Sequence, residues 1–230
     1  MNVRRTMGST AAAALLLLAM ASCSSTPTAK GTGQPAPPGT PQPAANGSGT
    51  TPGSGRQAGA IPVGPGPQTK YTVQAQPAPG TCKYRFTTAK EPLPDPVCTP
   101  GATNPAVTQA TLKTTICRPG YTAAIRPPSS ITAKEKAASI LAYAYTGNLR
   151  DDEYDHFLSL EFGGDPNDSR NLWPEPPSPG HKPGSGVNNP KDAVENKLHA
   201  AICSGKVTLT AAQQAVVTDW TTALKTLGLN

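Results

Sequence analysis

The stretch Tyr154-Asp155-His156-Phe157-Leu158-Ser159-Leu160-Glu161-Phe162-Gly163-Gly164, followed by Asn171-Leu172-Trp173-Pro174, decides how the rest of the chain is read. Residues 154–162 form an apolar run that carries an Asp-His pair, and this predicts a strand. Gly163 and Gly164 open a turn-forming connection over residues 163–170, and Asn171 begins the return strand. Residues 174–190 are a low-complexity stretch, long for a compact domain, which makes them either mobile or part of a binding rim.

Asn189 and Pro190 suit the N-cap and first position of a helix. Val194, Leu198, Ala201 and Ile202 space its apolar stripe. At about 100° per residue, Asp192, Asn196, His199 and Cys203 fall within about 60° of one another on another face, with Glu195 beside them. Gly205 ends that helix. A capping box from Thr210 to Gln213 starts the last one, which buries Val216, Val217, Trp220, Leu224 and Leu227. Upstream, the Thr132 to Glu135 box predicts a helix to about Tyr145, with Ala137, Ile140, Leu141 and Ala144 inward and Gly147 as its stop. Residues 81–128, rich in Pro and Thr, wrap the core as loops and short strands. The fold class expected is α+β.

Residues 1–22 read as an export signal. Arg4 and Arg5 precede a short apolar run containing Leu15 to Leu18, too short to span a bilayer. Met20-Ala21-Ser22-Cys23 has the form of a lipobox, so Cys23 is the expected lipidation site and the protein an extracytoplasmic one held at the cell membrane. Residues 24–80 contain 12 Pro and 11 Gly and no Asp or Glu. Such a composition offers too little apolar surface to offset ordering, so residues 23–80 read as a disordered tether and 81–230 as one domain. The net charge of +6 is concentrated outside that domain. Residues 81–230 hold 15 Lys and Arg against 14 acidic residues, a balance of +1, and the pI therefore says little about a phosphate-binding face.

With Cys23 assigned to lipid, Cys82, Cys98, Cys117 and Cys203 remain, an even number in an exported chain. Of the three possible pairings, Cys82–Cys98 as a local clasp and Cys117–Cys203 as a long tie to the polar helix are favoured. Closing the longer loop stabilises by about 4 to 5 kcal/mol in the chain-entropy model. No close Cys-x-x-Cys spacing supports a zinc site instead.

Phosphodiester hydrolysis needs an activated water, neutralised phosphoryl charge and a stabilised leaving oxygen. An imidazole such as His156 takes the proton at neutral pH, and a divalent cation held by Asp155 and a helix residue neutralises the oxygens. Asn171 pins the loop or orients the imidazole. Strand neighbours point to opposite faces, so Asp155 and His156 share a site only at a twisted strand end or bulge.

The order Asp-His, Asn-Leu and polar helix resembles the HNH group of ββα-metal (His-Me finger) nucleases. More closely, the chain is similar to a set of bacterial exported proteins sharing that motif, through Thr99-Pro100-Gly101-Ala102, Thr115-Ile116-Cys117-Arg118-Pro119-Gly120-Tyr121, Ile125-Arg126-Pro127-Pro128, Asn171-Leu172-Trp173-Pro174-Glu175-Pro176 and Cys203-Ser204-Gly205. The resemblance implies a small ββα-metal core with flanking helices, stapled by disulfides in place of zinc-knuckle cysteines. It implies His156 as general base, Asn171 as the hairpin Asn, Asp155 as metal ligand and Asn196, then His199, as the helix ligand, with Asp192 and Glu195 competing. The expected cofactor is Mg2+ or Mn2+, with Zn2+ or Ni2+ as alternatives, and the expected substrate is DNA or RNA.

Plainer readings stand beside these. His156 also suits a hydrogen-bonded structural histidine, Asp155 its orienting partner, Asn171 a turn residue, and the polar helix residues a solvated face. His181 and the run Asp151-Asp152-Glu153 are expected to be solvated, and Trp220 a core residue. The rival function is a non-catalytic cell-envelope module on the same fold. A hydrolase for another phosphoester or a wall polymer lacks paired carboxylates or a nucleophile motif.

Overall fold

The computed structural model describes residues 60–229. The expected signal, Cys23 and residues 24–59 of the expected tether lie outside them. The described chain is α+β, with two antiparallel two-stranded sheets and five α-helices. In chain order these are β1 (Arg85–Phe86), β2 (Pro92–Leu93), α1 (Tyr121–Ile125), α2 (Ser129–Ala142), β3 (Glu153–His156), β4 (Leu172–Glu175), α3 (Lys191–Cys203), α4 (Leu209–Asp219) and α5 (Ala223–Thr226). Among the described residues, no helix is long and apolar enough to cross a membrane.

β3 and β4 form the hairpin expected around the Gly-Gly turn, with Asp155 opposite Trp173 and His156 opposite Leu172. The first strand is shorter than expected, because the chain leaves it after His156. Phe157 N still donates to Asn171 O at 2.7 Å, and then Leu160–Phe162 coil into a 3-10 turn capped by the Ser159 hydroxyl. That turn buries Phe157, Leu158, Leu160 and Phe162 together, which an alternating strand cannot do. Gly163 ends it at φ 81°, in the left-handed region. A Cβ on Gly164 would overlap the Leu158 carbonyl. The Gly-Gly pair is therefore a close backbone crossing.

The 3-10 turn packs on α3 and α4, where Leu198, Ile202, Leu209, Ala212, Val216 and Trp220 complete the main core. Trp220 is a core residue as expected, its Nε1 donating to Pro92 O at 3.0 Å. On the side of β4 that α2 covers, Trp173 sits among Tyr84, Tyr143 and Phe157. Both favoured disulfides are present, Cys82–Cys98 and Cys117–Cys203.

Several expectations are corrected. Residues 60–80 are not tether: they dock on the domain through other elements' polar groups. Gly64 N donates to Thr103 O, Gly66 N to Asp165 Oδ2, Tyr71 Oη to Ile125 O and Gln74 N to Glu135 Oε1. A Pro/Gly-rich segment forms no ladder of its own, yet its free N–H groups can be matched one at a time by a preformed surface. α2 begins at Ser129, directly after Pro127-Pro128, so the Thr132 box does not form. Glu135 instead turns inward to Gln74, which rotates the helix so that Glu135, Ser139 and Ala142 are buried and Ala137, Leu141 and Ala144 exposed. Tyr143, with its N–H on Ser139 O, caps the helix before Gly147 is reached. The last helix is capped by Thr208, not Thr210, and is split into α4 and α5 around Trp220.

Candidate active site

His156 and Asp155 reach different partners from adjacent positions at the end of β3. His156 Nε2 lies 3.0 Å from Pro166 O, in the 163–170 connection. A carbonyl only accepts, so Nε2 carries the proton and Nδ1 keeps the lone pair. Burial lowers the imidazole pKa to about 4, with the Asp155 charge opposing it, so the ring is neutral at pH 7. The residue is 5% exposed, so the imidazole is held almost wholly inside the protein.

The connection holding Pro166 is fixed by Asn171. Its Nδ2 donates to Leu158 O at 3.0 Å and Asp165 O at 2.9 Å, and its Oδ1 accepts from Leu158 N at 2.9 Å and Ala102 N at 3.3 Å. Asn171 is fully buried, and its side-chain hydrogen bonds go to backbone groups and not to the imidazole. It orients His156 through the loop. Asp165 stiffens the same loop, accepting from Asn167 N, Asp168 N and Gly66 N. The docking of residues 60–80 is thus part of what holds the histidine.

Asp155 faces α3, where it meets Lys191. The Lys191 ammonium is 2.5 Å from Asp155 Oδ2, hydrogen-bonds Glu195 Oε1, and lies 3.8 Å from Glu175 Oε2 and 3.3 Å from His156 O. Burial works against this ammonium, but the three carboxylates outweigh it and hold its pKa well above the usual value. For Asp155, burial is likewise outweighed, chiefly by Lys191, and its pKa is lowered. Burial pushes the Glu175 carboxyl well above the usual range, with Lys191 opposing this and the Asp155 and Glu195 charges adding to it. Burial also raises Glu195, to about 7, against the pull of Lys191. The helix start is set locally: Asn189 Oδ1 accepts from Lys191 N, and Asn189 Nδ2 donates to Glu153 Oε2 at 3.1 Å, tying the cap to β3.

The two helix residues expected to complete a metal site lie elsewhere. Asn196 is exposed and its Nδ2 donates back to Asp192 O. His199 Nε2 bonds Ile116 O at 2.9 Å, beside the Cys117–Cys203 disulfide. The helix presents Lys191, Glu195, Leu198 and Ile202 inward, and this turns Asn196 away from the hairpin. Asp155, Asn196 and His199 therefore do not form a joint donor set. Asp155 itself is taken by an ammonium, so the residues as placed do not fit a divalent cation.

Sequence reasoning missed Lys191 and Glu175, and left Glu195 as a competitor. The signal was present: 191, 195, 198 and 202 share one helical stripe, so a Lys and a Glu four apart fell on the apolar face. Arg126 was noted for resemblance alone. It is exposed at the end of α1, among the described residues no side-chain partner engages it, and its charge acts on both His156 and Asp192.

The acidic run is a further correction. Asp151 and Asp152 are buried: Asp151 accepts from Gly184 N and Gly186 N, and Asp152 pairs with Lys136 at 3.0 Å. His181 is not solvated either, its Nε2 lying 3.3 Å from Asp151 Oδ1 with the side chain 8% exposed. These contacts anchor residues 181–186, so the low-complexity stretch is held against the start of β3. Comparison of the chain with family models, with curated proteins and with solved structures finds no match.

Proposed function

We propose that the hairpin and α3 form an HNH-like ββα core that hydrolyses phosphodiester bonds of nucleic acid. The observation that carries this reading is His156. It is a neutral imidazole whose tautomer is fixed by Pro166 O, with Nδ1 free to take a proton from water. Asn171 preorganises the loop behind it, and Arg126 offers an unpaired guanidinium for the phosphate. Because Lys191 occupies Asp155, no step is assigned to a metal. Mg2+ or Mn2+, or alternatively Zn2+ or Ni2+, would have to displace that ammonium to act. We place the protein outside the cytoplasm, with its signal and Cys23 lipid holding it to the membrane. The two disulfides support an oxidising compartment.

The test is cleavage of plasmid DNA and of RNA by the purified protein, with Mg2+, with Mn2+ and with EDTA. His156→Ala is expected to keep the far-ultraviolet circular dichroism of the parent and lower the rate about 10²- to 10⁴-fold. Full activity in that variant refutes the role of His156. A specific observation also favours the rival, a non-catalytic envelope module: the Lys191 ammonium already fills the space between Asp155 and Glu195, where a cation would otherwise bind. Absence of cleavage under every condition, with no heat of metal binding by calorimetry, supports that rival.

A further inference from the structure

The Cys117–Cys203 disulfide differs from Cys82–Cys98 in its neighbour and its exposure. Both its sulfurs and a ring nitrogen of His199 lie within 4.8 Å of one another. Cys203 is exposed at the end of α3, whereas Cys82 is fully buried. His199 and Cys203 are one helical turn apart, so they project from neighbouring positions on α3. His199 donates Nε2–H to Ile116 O, the carbonyl next to Cys117, and this leaves Nδ1 with its lone pair. A histidine held through one nitrogen by a backbone carbonyl is the arrangement that fixes a metal-ligating imidazole.

We propose that reduction converts this corner into a Cys2His site for Zn2+, independent of the hydrolytic reading of His156. The reductant is a dithiol. It donates two electrons to the Cys117–Cys203 bond and closes to its own disulfide, and the two sulfurs take up two protons as thiols. Zn2+ then replaces those protons, which leave to water, and a ring nitrogen of His199 is the third ligand with water in the fourth position. Two Zn–S bonds of about 2.3 Å at a tetrahedral angle set the sulfurs roughly 3.8 Å apart. Side-chain rotation achieves this from Cα atoms 5.5 Å apart. α3 stays in place on reduction because buried Leu198, Ile202 and Lys191 hold it. Two thiolates and an imidazole select zinc over magnesium or calcium, which prefer oxygen.

The experiment uses the full-length protein and Co2+ as an optical stand-in for Zn2+. The protein is reduced with dithiothreitol, desalted without oxygen and titrated, with circular dichroism recorded in parallel. Expected is one Co2+ per chain, with sulfur-to-cobalt charge-transfer absorption that Zn2+ abolishes, and no such absorption from the oxidised protein. His199→Ala is expected to weaken binding roughly tenfold or more, and Cys203→Ser to eliminate the charge-transfer band at the same Co2+ concentration. His199→Gln, which keeps a polar side chain beside Ile116 O, serves if the alanine variant fails to fold. Equal binding by the His199 variants, binding by the oxidised protein, or binding only after helical signal is lost overturns the site. So does a reduced, folded protein that binds no Co2+.

Discussion

Replacing Lys191 by Met removes one ammonium from among three buried carboxylates while keeping much of the side chain's length and volume. A unit-charge pair 2.5 Å apart, the Lys191–Asp155 separation, attracts by about 7 kcal/mol at an effective dielectric constant near 20. Desolvation of both ions offsets part of this, and breaking such a pair from one side destabilises by about 3 to 5 kcal/mol. The cost depends on pH. Without the ammonium, Asp155 and Glu195 have folded pKa values above their unfolded ones, so their contribution is greatest in acid and is lost as pH rises. Each proton held by the folded variant but not by the unfolded chain tilts stability by about 1.4 kcal/mol per pH unit. In the wild type, Asp155 is depressed and works in the opposite direction, its contribution fading as pH falls through its folded pKa. The expected result is a deficit of about 3 to 5 kcal/mol at pH 8 that shrinks toward pH 5. Urea unfolding with both disulfides intact, followed by Trp173 and Trp220 fluorescence and by circular dichroism, measures it. A Lys191→Met variant within about 1 kcal/mol of wild type at pH 8, or a deficit that grows on acidification, refutes the electrostatic account. Adding Asp155→Asn and Glu195→Gln should recover most of the loss; a triple variant as unstable as the single one points to packing instead.

Two further predictions concern the other groups around His156. Asn171→Ala leaves Leu158 N, Leu158 O, Asp165 O and Ala102 N without their partner, and should cost about 3 to 4 kcal/mol in the same unfolding assay. A loss below about 1 kcal/mol would show that water replaces those bonds freely. If Arg126 receives the phosphate, Arg126→Ala should raise KM roughly tenfold, about 1.4 kcal/mol, with kcat unchanged. A fall in kcat at constant KM contradicts that role.

Local chemistry made several parts of this chain legible in its sequence. The hairpin was readable because Gly163 and Gly164 interrupt an apolar run at a point where the backbone must cross closely. The start of α3 was readable to within a residue: Pro190 rather than Asn189 is its N-cap, and Asn189 Oδ1 accepts from Lys191 N just before the first turn. The even cysteine count made two disulfides legible and left three pairings, of which the favoured local clasp and long tie are the ones present. Trp220 lay where helical spacing put the core. Apart from Cys117–Cys203, whose partners are 86 residues apart, these depend on residues close in sequence or on a single periodicity.

Tertiary packing decided which polar groups face one another. Residues 60–80 look unstructured by composition, yet Gly66 and Gln74 find acceptors on Asp165 and Glu135, 99 and 61 residues away. Asp151 and Asp152 look solvated, and become buried because Gly184, Gly186 and Lys136 are delivered to them. The resemblance implied Asn196 and His199 as ligands on the polar face of α3. That helix is rotated so that Lys191 and Glu195 enter with the apolar stripe, and Lys191 meets Asp155. The physical reason is that a helix settles with the face whose burial costs least. The Lys191 ammonium answers Asp155 and Glu175 on β3 and β4 and pairs with Glu195 one turn along, so it enters at less cost than an Asn and a His with no charge to answer there. Sequence determined the elements and their caps, and only the fold decided what occupies Asp155.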